Sequence, residues 1–230
     1  MMWERVKRMR FEATFLTFAC LLGEIRTIEI HYPTIKPKIY ETTSKVFLDV
    51  MQGDTSLGRI VIALYEKDTP ITAGYFRALA TTGINDTFLE GSFFHKIVKG
   101  FKVQATNMNT CKSRFALSYH EGGEGMDINL LYDEEVEAYS YTVQEEEGKV
   151  PHAAAGVVSM ASRGPHMKWT EFFITTIPTP WLDFHDVPFG KVESGMDVVK
   201  KIETANVTIE ARPIIPIYIK KCGLVLNNET

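Results

Sequence analysis

The stretch that decides the fold of this 230-residue chain is FFHKIVKGFKVQATN, at residues 93–107. Two aromatic residues, a histidine and a lysine open the stretch, and a Gly-Phe pair and a glutamine follow. Residues 93–98 and 101–106 are rich in β-branched and aromatic side chains, which predicts two strands. Lys96 and Gln104 lie on these predicted strands.

The sequence on both sides of this stretch predicts more short strands. Residues 46–51 and 59–65 are rich in β-branched and apolar residues, and the turn-forming residues 53–56 between them indicate a hairpin. Further strands are predicted at 156–161, 171–176, 214–220 and 223–226.

Only two helices are predicted among these strands. Thr72 is the candidate N-cap of a helix that ends near Gly83, and Ser194 is the candidate N-cap of a second, short helix. Many short strands with two helices indicate a mainly β protein, an antiparallel barrel or sandwich.

The composition excludes several classes of protein. Apolar residues make up 45% and charged residues 23% of the chain, which is typical of a globular protein. A net charge of −4 argues against nucleic-acid binding, which needs a basic face. The three cysteines form no CxxC motif and the histidines show no metal spacing, so we expect neither a metal nor a cofactor.

The chain divides into an extension at residues 1–44, a main domain at 45–226 and a short tail at 227–230. Basic residues precede an apolar run at 13–22, which is too short to span a bilayer. This pattern fits either a secretory signal peptide or an appended helix and linker. We expect a cytoplasmic protein, or a protein of the secretory pathway if residues 1–22 act as a signal.

An acidic block marks an insertion in the main domain, around residues 110–149. Between Phe115 and Gly148 there are ten acidic residues and no lysine or arginine. We expect a solvated surface loop; the alternative is an acidic rim that selects basic peptides.

The opening stretch resembles the active-site strands of the cyclophilins, with the pattern Phe-His-Arg-Ile, two residues, Gly-Phe, two residues, Gln. Three later segments resemble family motifs in the same order: GVVSMAS at 156–162, EFFIT at 171–175, and WLD at 181–183 followed by FGKV at 189–192. The resemblance covers roughly residues 46–226. It implies a closed eight-stranded antiparallel β-barrel with a helix over each end, and a monomeric peptidyl-prolyl cis-trans isomerase that binds proline-containing peptides.

The resemblance also implies the site residues. The catalytic residues would be Lys96, Phe101 and Gln104. The substrate-binding residues would be Lys102, Ala161, Ser162, Glu171, Phe173, Trp181, Leu182 and Asp186.

Several of these positions depart from the family pattern. Lys96 replaces the catalytic arginine, and the other replacements are Lys102 for Met, Ser162 for Asn, Glu171 for Gln and Asp186 for His. An ammonium is a compact point charge, whereas a guanidinium is a planar fork with five donors. We expect Lys96 and Glu171 to form an ion pair across the groove that weakens catalysis, and we expect weak or no cyclosporin binding. The sequence thus predicts a weakened isomerase or, alternatively, a non-catalytic proline-peptide binding module.

Overall fold

The structure, a computed structural model, describes residues 39–84, 88–106, 146–161 and 171–226. Its strands are β1 (Lys45–Gln52), β2 (Thr55–Leu64), β3 (Phe94–Val98), β4 (Lys102–Thr106), β5 (Val157–Met160), β6 (Glu171–Thr175), β7 (Val187–Ser194) and β8 (Ile217–Leu224). The helices in these ranges are α1 (Pro70–Thr81) and α2 (Met196–Glu203). A short 3-10 helix, Pro180–Leu182, lies between β6 and β7.

The eight strands form one antiparallel sheet in the order β3-β4-β6-β5-β7-β2-β1-β8. Its two outer strands meet at a bridge between Phe93 and Tyr218, where the N–H of Ile219 also donates to the carbonyl oxygen of Ser92 at 2.9 Å. The sheet therefore curls into a nearly closed barrel, which confirms the predicted fold class.

Alternation of side chains along the strands fills the barrel. In β1, for example, Val46, Leu48 and Val50 are fully buried, as expected for a strand with one face toward a core. Helix α1 adds Phe76, whose ring centroid lies 5.1 Å from that of Phe172 in β6. Helix α2 packs against β2, β3 and β4, so the two helices complete the core.

Helix α1 begins three residues before the position expected from the sequence, and helix α2 begins one residue after its expected position. Helix α1 follows Thr69 instead of Thr72, with Pro70 in the first turn, where its missing N–H costs no hydrogen bond. Helix α2 follows Gly195 instead of Ser194. Gly195 has φ = +90°, and a Cβ there would clash with the carbonyl oxygen of Arg59 in β2.

The strand predictions were wrong at the end of the chain. Strand β7 was missed, because Pro188 and Gly190 interrupt the apolar pattern of residues 187–194. The two strands expected at 214–220 and 223–226 are a single strand, β8.

One residue of the acidic block is buried at the start of α1, contrary to the solvated loop expected there. The Glu146 side chain is 1% exposed. Its carboxylate accepts hydrogen bonds from the backbone N–H groups of Ile71 (2.8 Å) and Thr72 (3.0 Å) and from the Thr72 hydroxyl (2.6 Å). These are backbone donors that a helix cannot satisfy internally, and the negative charge suits the helix dipole.

The turn between β3 and β4 is fixed by another buried carboxylate, Glu203 at the end of α2. The N–H of Gly100, whose φ is +69°, donates to Glu203 Oε1 at 2.8 Å. The Lys200 ammonium donates to the second oxygen. The N–H of Thr176 donates to the carbonyl oxygen of Phe101 at 2.9 Å. Phe101, an expected catalytic residue, is thus held by one hydrogen bond at the preceding residue and by another at its own carbonyl oxygen.

Glu146→Ala should lower the free energy of unfolding by about 1–3 kcal/mol, because it leaves buried N–H groups at the start of α1 without an acceptor. Urea unfolding would measure this loss. Glu210→Ala, which removes an exposed carboxylate near Arg212, is the matched control. Equal losses in the two variants would contradict the capping role of Glu146.

Glu203 should make the free energy of unfolding depend on pH. Burial would raise the pKa of Glu203, but hydrogen bonds from Lys200, Thr176 and Gly100 outweigh it and hold the pKa below its usual 4.5. This contribution is therefore fully present above pH 4.5 and is lost as pH falls through the folded-state pKa. In Glu203→Gln, the unfolding free energy should fall less steeply than in wild type as the pH is lowered below 4.5.

Urea unfolding at several pH values would measure these slopes, with Glu210→Gln as the control that keeps the wild-type slope. An unchanged slope in Glu203→Gln would show that this carboxylate does not link acidity to folding.

Candidate active site

Three expected site residues lie side by side on adjacent strands. Lys96 of β3 pairs with Gln104 of β4, and Gln104 pairs in turn with Phe173 of β6. Directly paired residues project to the same face of a sheet, so this register brings the three together. Lys96 is exposed, whereas Gln104 and Phe173 are buried.

The base of the groove is a stack of two buried rings. Phe173 is fully buried, and its ring lies parallel to that of His152 with the centroids 6.0 Å apart. His152 Nδ1 lies 2.9 Å from Asp183 Oδ1, and Nε2 lies 3.0 Å from the Ser159 hydroxyl oxygen. Since a carboxylate only accepts, Nδ1 carries the proton and donates to Asp183.

His152 is held in its neutral form. Burial lowers its pKa below the usual value, and the positive charge of Lys102 acts in the same direction. Hydrogen bonding to Asp183 and the charges of Asp183 and Asp186 oppose this shift without reversing it. His152 is therefore a structural support and not a proton-transfer group.

One wall of the groove is aromatic. The rings of Phe101 and Trp181 lie 6.0 Å apart and are tilted by 31°. Trp181 is 58% exposed, and Leu182 beside it in the 3-10 helix is half-buried. The N–H of Thr179 donates to the carbonyl oxygen of His152 at 2.9 Å and so joins this helix to the base of the groove.

A lysine lies over these rings. The ammonium of Lys102 is 4.2 Å from the centroid of Phe173 and 5.4 Å from that of Phe101. Such cation–π contacts contribute about 0.5–2 kcal/mol, depending on exposure. A charged side chain therefore lies where a ligand would have to approach these rings.

The expected ion pair between Lys96 and Glu171 is wrong. The Glu171 side chain is 12% exposed, accepts a hydrogen bond from Gln104 Nε2 and lies 3.7 Å from His95 Nε2. Strand β4 lies between β3 and β6, so Gln104 reaches this carboxylate before Lys96 can. Among the described residues, Lys96 forms no ion pair.

Of the remaining expected residues, Ala161 and Asp186 are buried, and Ser162 is not described. Ala161 is buried, and its N–H donates to the carbonyl oxygen of Glu171 at 2.9 Å. Asp186 is 7% exposed, near enough to His152 to affect its pKa. Ser162 lies outside the described residues.

Sequence reasoning missed two contributors to this region. His95 lies beside Glu171, and nothing in its spacing points to a carboxylate on another strand. Glu203 could have been noticed, because it follows Val199 by four residues and so shares its buried helix face.

The part of the chain that the structure describes contains no group of three or more histidine, cysteine, aspartate or glutamate residues placed to hold a metal ion. Within the same residues, no helix is long and apolar enough to cross a membrane.

Comparison with known proteins agrees with this geometry. The family model described as cyclophilin type peptidyl-prolyl cis-trans isomerase/CLD matches residues 47–224. The chain is 32% identical over 196 residues to the rhodopsin-specific isozyme of peptidyl-prolyl cis-trans isomerase from Calliphora vicina, covering 85% of this chain and 76% of that protein.

Two fungal proteins give similar results. Peptidyl-prolyl cis-trans isomerase D of Saccharomyces cerevisiae is 31% identical over 216 residues, 94% of this chain and 86% of its own length. Peptidyl-prolyl cis-trans isomerase cyp11 of Rhizopus delemar is 36% identical over 186 residues, 78% of this chain, although the match spans about half (49%) of that longer protein. The chain therefore belongs to the cyclophilin-type peptidyl-prolyl cis-trans isomerase family, and it is an isomerase enzyme of that family.

Proposed function

We propose that this chain isomerises Xaa-Pro bonds in peptides and proteins, with an activity weakened by replacements at polar positions of its groove. The observation that carries the proposal is the row of Lys96, Gln104 and Phe173 on adjacent strands, beside the wall formed by Phe101 and Trp181. This row combines a cation, an amide and a buried aromatic ring on one face of the sheet.

The reaction needs positioning and one well-placed donor. Amide resonance gives the X–Pro bond a rotational barrier of about 18–20 kcal/mol. A site that holds the proline ring against Phe101 and Phe173 lowers this barrier if it binds the twisted bond better than the planar one. In the twisted state the proline nitrogen becomes pyramidal and accepts a hydrogen bond, which the ammonium of Lys96 donates.

Three features support a weakened activity. Lys96 offers a strongly hydrated point charge in place of a planar fork of donors. Gln104 already donates its amide to Glu171, which leaves mainly its carbonyl oxygen for a substrate. Lys102 places a charge over Phe173, against which the proline ring would pack. The first two features reduce stabilisation of the twisted bond, and the third reduces binding.

The second candidate function is a proline-peptide binding module without catalysis. The bond between Gln104 and Glu171 favours it, because this bond withdraws a polar group that would otherwise position the substrate. The aromatic wall and the buried Phe173 serve both functions equally, so only a rate measurement separates them.

The identity of partners and the location in the cell stay predictions. An acidic rim would favour basic peptides, and the replacements at Lys102, Glu171 and Asp186 would weaken cyclosporin binding. We keep the expectation of a cytoplasmic monomer, with the secretory pathway as the alternative if residues 1–22 act as a signal.

The wild-type protein should accelerate cis/trans exchange of a short Ala-Pro peptide, measured by NMR exchange spectroscopy at increasing protein concentration. Phe101→Ala should reduce this acceleration, because it removes part of the wall against which the proline ring packs. Phe88→Ala is a matched control on the connection between α1 and β3, which contributes none of the groove residues. Peptide shifts without faster exchange would favour the binding module instead.

Lys96→Arg should raise kcat/KM by about tenfold or more, because a guanidinium presents a better donor to the prolyl nitrogen. Glu171→Gln should raise it separately, by releasing the amide of Gln104. Because Lys96 and Glu171 are not paired, the effects should add within about 0.5 kcal/mol in a double-mutant cycle. A coupling energy above about 1 kcal/mol would show that the two positions act together, through an ion pair or through Gln104, and would contradict this independence.

A further inference from the structure

The loop between β6 and β7 contains a residue in a conformation that its side chain disfavours. Phe184 has φ = +65°, an outlier for a bulky aromatic residue. Asp183 before it has φ = −59° and ψ = 140°, and the N–H of His185 donates to the carbonyl oxygen of Leu182 at 3.1 Å. These features define a type II turn, whose third position favours glycine. The chain therefore carries phenylalanine at a position suited to glycine.

The neighbours of Phe184 hold it in this conformation. Asp183 Oδ1 accepts hydrogen bonds from the backbone N–H of His152 at 2.8 Å and from its ring at 2.9 Å. The N–H of Asp186 donates to the carbonyl oxygen of Leu182 at 3.1 Å. Strained residues persist where their surroundings fix them in this way, and they are concentrated at functional sites.

The ring of Phe184 is supported on one side and accessible on the other. It packs on Gly148, where φ is +73° and an added Cβ would clash with the ring. The side chain is nevertheless 72% exposed. Trp181, three residues earlier in the same loop, is 58% exposed and contacts Phe101. Two exposed aromatic rings therefore belong to the same short loop, and one of them, Trp181, pairs with Phe101.

We propose that Phe184 is a specificity-determining residue, which contacts an apolar side chain next to the proline of the substrate. This inference rests on the proposed function. An aromatic ring offers a large apolar contact area with few rotatable bonds. Its turn is bonded directly to His152, which supports Phe173, so the ring is held at a fixed place relative to the pocket.

The test compares three peptides that differ only beside the proline: alanine on both sides, phenylalanine before it, or phenylalanine after it. Wild-type protein should prefer one phenylalanine peptide over the alanine peptide in kcat/KM. Phe184→Ala should reduce that ratio by about 2- to 13-fold, the range expected for an aromatic contact. Phe88→Ala, which removes a partly exposed ring packed on Gly83, should keep the wild-type ratio.

Phe184→Gly separates this role from a structural one. Glycine relieves the left-handed conformation, so the melting temperature should rise by about 2–4 °C while the preference for the phenylalanine peptide is lost. A lower melting temperature with an unchanged preference would mean that the ring only supports Gly148, and would overturn the inference. So would a wild-type protein that prefers neither phenylalanine peptide.

Failure of the proposed function gives a different result. If wild-type protein accelerates exchange of none of the three peptides, isomerisation is contradicted. The preference among the peptides is then measured as a ratio of Kd values, from NMR shift titrations, instead of a ratio of kcat/KM values. A preference in Kd that Phe184→Ala removes still supports the inference, whereas equal Kd values for wild-type protein overturn it.

Discussion

The groove depends on one buried imidazole, that of His152, which joins three separate parts of the chain. Its ring bonds to Ser159 in β5 and to Asp183 after the 3-10 helix, and it stacks on Phe173 in β6. Because burial keeps this imidazole neutral, it donates one hydrogen bond and accepts another, and each partner is satisfied. The places of Trp181 and of the strained turn at Phe184 follow from this arrangement.

The fold of this protein follows the family pattern more closely than the charged side chains of its site do. The strand register brings Lys96, Gln104 and Phe173 to one face of the sheet, and Phe101 and Trp181 form an aromatic pair. The changes are concentrated in groups that carry charge: Lys102 lies over Phe173, and Glu171 takes the amide of Gln104. Such changes alter the electrostatics that a twisted peptide bond would meet.

The sequence predicted most of the strands and the presence of two helices, because the pattern of apolar side chains reports local burial. It missed β7, where Pro188 and Gly190 interrupt the apolar pattern. Gly190 is the point at which β7 approaches β2 too closely for a side chain. Sequence reasoning also misjudged contacts between strands distant in sequence. The pairing of Glu171 with Gln104 in place of Lys96 depends on the order of β3, β4 and β6, which no local pattern contains. For the same reason the buried role of Glu146 was not evident in a run of three glutamates.

The most direct test of this account is the kcat/KM of the triple variant Lys96→Arg, Lys102→Met, Glu171→Gln on an Ala-Pro peptide, compared with wild type. Lys99→Met, at an exposed lysine in the β3–β4 turn, controls for the loss of a charge. If charged replacements alone limit an otherwise intact groove, the triple variant should gain about 10²-fold or more. A variant that unfolds cooperatively but shows no gain would contradict the account, and would place the limit in the buried base around His152 and Phe173.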